Sequence, residues 1–308
     1  VDLLYSEFAS FDKDADDIIK AVGENKVLYL TGSNDYSIIK NVMLLLKFRY
    51  RHGKCEFNIL SGRFWHLLVL CLIGFNIKTY VVHFIPNKNR AFHVGCLRIF
   101  SSKIKVWVYS KSVNSQLTDL GIVPAGVLTS RKVNTEKALK LLNQKKECAK
   151  KKIFFPSSRD GVRQCLDVNK TLNYLIGLSF EISDVFVQGR HLFDKADLNL
   201  SNINMYVFDN GLRSDEYDSL FEEAAFVCVN FEIGYEPRAS GILLDAISSG
   251  CIVLTEDHPI NDQYGFPFSV VTTSDRLKAG LFDGEAFSKC ALSTDIQFSQ
   301  DWRVFFGI

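Results

Sequence analysis

One segment gathers residue types suited to holding an anion while it leaves. It runs Tyr235-Glu236-Pro237-Arg238-Ala239-Ser240-Gly241-Ile242-Leu243-Leu244-Asp245. Arg238 offers a planar cationic fork just ahead of a run with helical spacing. Ser240 and Gly241 open that helix with small side chains, so its first N–H groups are free to meet a phosphate or diphosphate. Asp245 follows about one turn later, with small Ala246 beside it, and its carboxylate can accept hydrogen bonds from a ribose. A plainer reading fits the same residues: Ser240-Gly241 as a helix cap and Asp245 as a solvated carboxylate.

The elements that must position this segment alternate along the chain. Val27-Leu28-Tyr29-Leu30 reads as the first buried strand, preceded by an acidic helix around Asp14 to Val22. A small-residue turn containing Gly32, Ser33 and Asn34 follows, then a helix from Ile38 to Tyr50. Strands at Phe57–Leu60, Lys78–Phe84 and Ile104–Tyr109 alternate with helices at Phe64–Leu72 and just after Lys111. Asn87, Arg90 and His93 fall in the loop after the strand that ends at His83-Phe84. A Lys-rich helix from Thr135 leads into a second round. Its strands are Lys152–Phe155, Asp184–Val187, Met205–Phe208, Ala225–Asn230 and Cys251–Thr255. Its helices are Val168–Leu178, Asp215–Glu223 capped at Ser214, and Ile242–Ser248 closed by Gly250. Two successive βαβα runs without hairpin signals predict an α/β protein of two doubly wound, Rossmann-like parallel sheets, 1–133 and 134–308. Ligands of such sheets bind beyond the carboxyl ends of the strands, so the cleft between the halves is the expected active site.

Composition agrees with two bodies. Residues 1–150 hold 23 Lys/Arg against 12 Asp/Glu, and residues 151–308 hold 13 against 23. The basic half attracts phosphates, nucleic acid or an anionic membrane, unless the two halves simply attract each other. The 8 cysteines are scattered without ligand spacing, which reads as a reducing compartment and no zinc site. No leader pattern is read, and the longest apolar run, Leu67 to Phe75, is too short to span a bilayer.

The stretch Leu243-Leu244-Asp245-Ala246-Ile247-Ser248-Ser249-Gly250-Cys251-Ile252-Val253-Leu254 resembles the donor-site signature of GT-B glycosyltransferases of the family-4-like clan. The preceding Arg238-Ala239-Ser240-Gly241 resembles a variant branch that carries Arg-x-Ser-Gly there. Phe208-Asp209-Asn210-Gly211, Ala225 to Asn230 and Val108-Tyr109-Ser110-Lys111-Ser112 resemble further family segments in the same order. The resemblance implies the GT-B fold and transfer of a sugar from a nucleotide-diphosphate sugar. It implies donor contacts at Glu236, Arg238, Ser240, Gly241 and Asp245, although Glu236 stands one residue early and Asp245 replaces the family's glutamate. Of the family's basic first loop only Ser158-Arg159 and Arg163 remain; Arg159 is the diphosphate partner implied, with Arg163 the alternative. Gly32, Ser33 and Asn34 resemble the flexible loop near acceptor and diphosphate. His83 resembles the cleft histidine, and it would orient the acceptor hydroxyl or take its proton. His93 faces the acceptor in the same scheme.

Negative charge grows on the leaving diphosphate, and Arg238, Arg159 and the helix start at Ser240-Gly241 would stabilise it without a metal or other cofactor. The expected partners are a nucleotide sugar and a glycan or lipid-linked acceptor, as in bacterial O-antigen or capsule synthesis, with retention of configuration. The expected location is the cytoplasm. The basic stretch Lys40 to Lys54 could hold the enzyme on the anionic inner face of the membrane, and it reads equally as a solvated helix face. Alternatives are an inactive transferase-like partner subunit, a nucleotide-sugar epimerase, and a nucleic-acid binder, the last not expected. A Rossmann oxidoreductase lacks its Gly-x-Gly-x-x-Gly after Val27–Leu30.

Overall fold

The computed structural model describes residues 2–6, 12–22, 27–31, 38–53, 56–61, 64–83, 85, 90–129, 132–156, 168–188, 202–208, 212–229, 241–255 and 284–306. They begin β1 (Asp2–Ser6), α1 (Asp12–Val22), β2 (Val27–Thr31), α2 (Ile38–His52), β3 (Glu56–Ser61) and α3 (Phe64–Leu72). Next come β4 (Ile77–Val82), α4 (Arg90–Ser101), β5 (Lys105–Val108), α5 (Lys111–Asp119) and β6 (Gly126–Val127). Then follow α6 (Thr135–Glu147), β7 (Lys150–Phe155), α7 (Val168–Gly177), β8 (Glu181–Gln188) and β9 (Asn204–Phe208). The last are α8 (Ser214–Glu223), β10 (Phe226–Cys228), α9 (Gly241–Ser248), β11 (Ile252–Leu254) and α10 (Gly284–Phe306). The chain forms two compact units. One is Val1–Lys132 with Ile296–Ile308, and the other is Val133–Glu236 with Ser240–Asp295.

The first unit is a six-stranded sheet in the order β2-β1-β3-β4-β5-β6, parallel at every pairing. A parallel sheet is buried on both faces, so alternate residues of one strand belong to different cores. Phe57 and Ile59 of β3, Tyr80 and Val82 of β4, and Val106 and Val108 of β5 face one core, which also takes Leu45 of α2, Leu67 of α3, Val94 of α4 and Val113 of α5. Leu60, Val81 and Trp107 face the other, with Ile18 of α1. On that second face Thr79 donates to the Asn58 side-chain oxygen at 2.7 Å, which satisfies two polar groups buried between β3 and β4.

The aromatic end of α10 fills the rest of this second core. Phe298, Trp302, Phe305 and Phe306 pack with Trp107 and Leu128, and the rings of Trp302 and Phe305 stand 5.3 Å apart. Polar contacts fix the register. The Asp301 carboxylate accepts from the Thr129 N–H at 2.7 Å and from its hydroxyl at 2.8 Å, and the Trp302 indole donates to the Thr129 carbonyl at 3.2 Å. Burial pushes the Asp301 carboxyl above its ordinary range, against these hydrogen bonds. The sequence reading gave 134–308 wholly to the second domain. Ile296–Ile308 instead joins the first, because its aromatic stripe covers a sheet face that α1 alone leaves bare.

Other expectations shift. Val27–Leu30 is the second strand, since Asp2–Ser6 forms β1 and pairs with both β2 and β3. Arg90 and His93 lie in a helix, α4, rather than a loop, because Val94 and Leu97 bury one face of that stretch. The cap of α8 is Arg213 rather than Ser214, because Glu216 reaches back to accept the Arg213 N–H at 2.9 Å.

The second unit is a five-stranded parallel sheet in the order β11-β10-β7-β8-β9. Strands β7 and β11 carry buried apolar runs, Ile153-Phe154-Phe155 and Ile252-Val253-Leu254, as two-sided burial demands, whereas the edge strand β9 is only partly buried. Phe287, Cys290 and Ala291, from the first half of α10, belong to this core.

Trp302→Ala should destabilise the first unit by about 3–5 kcal/mol, the usual cost of emptying a large buried aromatic site. Chemical denaturation followed by Trp fluorescence and far-UV circular dichroism measures it.

Candidate functional site

The second sheet changes direction at β7. From β7 the chain steps outward through β8 to β9, then returns to place β10 on the other side of β7. The register is Phe226 to Ile153 and Val227 to Phe154, so the carboxyl ends of β7 and β10 are neighbours. Connections leaving such adjacent strands diverge to opposite faces of the sheet, which makes this edge the binding position of doubly wound folds. The segment after β7 carries Arg159 and Arg163. The segment after β10 carries Glu236, Arg238 and Ser240. These five residues lie outside the described residues, yet chain connectivity derives both segments from the switch-point strands.

The described part of this site is α9. Ile242, Leu243, Leu244, Ala246 and Ile247 are buried, which seats the helix against its sheet. Gly241 is exposed at the first turn, and a Cβ added there would meet no described atom within 4 Å. Packing among the described residues therefore sets no demand for glycine at this position. Asp245, one turn on, is half-buried. The N-terminal end of α9 carries the positive end of the helix dipole and N–H groups without intrahelical partners.

The opposite end of α9 is held by a buried cation that the sequence reading missed. The Lys145 ammonium donates to the carbonyls of Phe221, at 2.8 Å, and Ser249, at 2.5 Å, and lies 3.2 Å from the Cys251 sulfur. It thus meets the last turn of α8 and the end of α9, where carbonyls lack helical partners and the dipoles are negative. Its signal was present in the spacing: Ala138, Leu142 and Lys145 share the inward face of α6. Burial pushes the Cys251 thiol up, with the ammonium acting the other way. Gly250 turns the chain out of α9 with φ +64°, and a Cβ there would come within 2.5 Å of the Ala138 carbonyl and the Leu142 nitrogen. Only glycine lets α9 and α6 approach this closely.

In the first sheet the order reverses between β1 and β3. Gly32, Ser33 and Asn34 follow β2, an edge strand, and lie outside the described residues. His83 directly follows β4. Its Nε2–H donates to the Leu60 carbonyl of neighbouring β3 at 2.9 Å, and its ring lies 4.7 Å from that of Tyr109. Burial lowers its pKa to about 4, partly offset by this hydrogen bond. His83 is therefore neutral near pH 7, with Nε2 committed to Leu60. His93 packs edge-on against Phe64, its ring 5.1 Å away. Ser110 caps α5, its hydroxyl accepting from the N–H groups of Ser112 and Val113. Among the described residues no three His, Cys, Asp or Glu side chains gather as a metal site.

No protein-family profile matches the chain, and no curated protein matches it in sequence. Solved structures do match. An α,α-trehalose-phosphate synthase (UDP-forming) from Burkholderia vietnamiensis superimposes with a TM-score of 0.63 at 10% identity, over 99% of this chain and 98% of that one. A glycosyltransferase from Rickettsia africae gives 0.57 at 14% identity, over 99% and 88%. HepE of Anabaena, solved in complex with UDP-glucose, gives 0.51 at 12% identity, over 99% and 96%. The likeness is one of fold: the chain has the two-domain, Rossmann-like GT-B fold.

Two outcomes follow. Lys145→Met should cost about 2–4 kcal/mol by removing the ammonium's hydrogen bonds to carbonyls at two helix ends, seen as a lower denaturation midpoint. For His83 the folded pKa lies below the unfolded value, so its stabilising contribution is present above about pH 6.5 and is lost as pH falls through about 4. Relative to His83→Gln, which keeps an N–H for Leu60, the native chain should lose roughly 1–3 kcal/mol across that window.

Proposed function

We propose that this protein is a glycosyltransferase that moves a sugar from a nucleotide-diphosphate sugar to a hydroxyl acceptor. One observation carries the reading. The two segments rich in anion-binding residues leave the adjacent carboxyl ends of β7 and β10, and the second feeds directly into the start of α9. The GT-B fold, and neighbours described as UDP-forming or as bound to UDP-glucose, support it.

In this reading the leaving diphosphate sits at the N-terminus of α9. As the bond between the sugar C1 and the diphosphate oxygen breaks, negative charge grows on that oxygen. Arg238, Arg159 or Arg163, and the first N–H groups of α9 meet it, and such preorganised donors act most strongly where water is excluded. Gly241 lets the phosphate approach the backbone, which gives a reason for glycine that packing does not. Asp245 accepts from the ribose hydroxyls, and Glu236 reaches the donor sugar. No metal is required in this scheme, since arginines and the helix dipole supply the positive charge. On the acceptor side a histidine with a pKa of about 4 is a weak base at neutral pH, so His83 is assigned to positioning the acceptor hydroxyl.

The finer reading is a retaining enzyme acting on a glycan or lipid-linked acceptor in bacterial surface polysaccharide assembly, at the inner face of the cytoplasmic membrane. Trehalose-6-phosphate synthase, a structural neighbour that transfers glycosyl groups with retention, supports the stereochemical part.

Calorimetric titration with UDP, GDP, CDP, ADP and dTDP should reveal saturable binding of one of them. Arg238→Ala should abolish that binding and lower transfer by about 10²–10³-fold, with the melting temperature unchanged. Transfer that survives Arg238→Ala would place the donor site elsewhere, and absence of binding by all five nucleotides would point to an inactive transferase-like chain.

A further inference from the structure

Helix α2 is covered on one side only. Asn41 and Leu45 are buried, whereas Ile39, Met43, Leu46 and Tyr50 are 72%, 61%, 40% and 92% exposed. These four are spaced i, i+4, i+7 and i+11, so they share one stripe down the helix. Lys40, Lys47 and Arg51, all exposed, form a second row about a quarter-turn away. Arg49 is committed inward: it donates to the Gly74 carbonyl at 3.2 Å, and its guanidinium stands 5.2 Å from the Phe75 ring. That contact brings the turn after α3 to the end of α2, where Leu72 and Ile73 add exposed apolar surface. Soluble surfaces scatter apolar side chains singly, and a contiguous stripe marks an interaction face.

Charge selects the partner. Between Tyr36 and Thr118 the one acidic residue is Glu56, and Lys78 pairs with it at 3.0 Å. Helices α2, α3 and α4 contain neither Asp nor Glu. A second copy of the chain docked through the same two-fold face would set this acid-free surface against itself. Nucleic acid would use the cations and leave the apolar stripe in water. An anionic lipid surface uses both rows, with apolar side chains at the acyl boundary and Lys and Arg stems reaching up to phosphates.

We propose that α2 is a docking helix for an anionic lipid bilayer. It lies in the plane of the interface, with Ile39, Met43, Leu46 and Tyr50 inserted and Lys40, Lys47 and Arg51 on the lipid phosphates. No helix among the described residues is long and apolar enough to cross a membrane, so α2 rests on the surface. The argument stands on this helix alone and does not rest on the transferase reading, whose membrane location it would supply with a docking surface.

Co-sedimentation of the whole chain with vesicles tests it. Vesicles of phosphatidylcholine mixed with phosphatidylglycerol should carry the protein down, and vesicles of phosphatidylcholine alone should not. Lys40→Gln, Lys47→Gln and Arg51→Gln should each lower the partition about fivefold. Ile39→Ser with Tyr50→Ser should lower it at least about tenfold, with circular dichroism and melting unchanged because both positions are exposed. Three results would overturn the proposal: no binding of the native chain to the mixed vesicles, undiminished binding of the Ile39→Ser/Tyr50→Ser variant, or a lipid-free dimer in sedimentation velocity that this variant dissolves. Nucleotide titration of the same variants should match the native chain, so a failure here is separable from a failure of the donor site.

Discussion

A parallel sheet has to be covered on both faces, and much of this molecule follows from that demand. Crossover connections of one hand set α2, α3, α4 and α5 against one face of the first sheet, because the chain moves in a constant direction from β2 to β6. The single step from β1 to β2 runs the other way and places only α1 on the opposite face. One helix of 11 residues does not cover Leu60, Val81, Trp107 and Leu128. The second half of α10 completes the layer with four aromatic side chains, and the Asp301–Thr129 hydrogen bonds fix its position.

The same crossover rule creates the candidate site. Reversal of strand order around β7 sets the ends of β7 and β10 side by side, and α9 starts from the second of these connections. What distinguishes α9 is the contrast between its ends. The Lys145 ammonium neutralises the carbonyl end inside the protein, while the amide end is left to whatever lies before it. Gly250 makes this possible by letting α6, which carries Lys145, come against the last turn of α9. A structural cation at one end would then complement the anion-binding role proposed for the other.

How far the sequence reveals this depends on how local the signal is. Buried strands of a parallel sheet announce themselves as apolar runs, and Phe64–Leu72 is a helix over the same residues that its pattern implies. The opening of α9 at Gly241 and its close at Gly250 were readable from small residues bounding an apolar stretch. Signals that depend on distant partners were not readable. Leu3-Leu4-Tyr5 is too short a run to stand out, yet β1 is central because strands on either side need it. His93 is expected in a loop with Asn87 and Arg90, whereas Val94 and Leu97 bind that turn to the core as a helix. Lys145 reads as one of several solvated lysines until the carbonyls of α8 and α9 are placed around it. The low pKa of His83 likewise comes from its surroundings rather than its identity.

The return of α10 to the first sheet also has a temporal meaning. Thr129 and Asp301 are separated by 172 positions, and ribosomes add residues in order. When β6 emerges, the α1 side of its sheet still presents Leu60, Val81, Trp107 and Leu128 to the cell. It stays so while the entire second unit is translated. The amino-terminal body therefore completes its second core only with the last turns of α10.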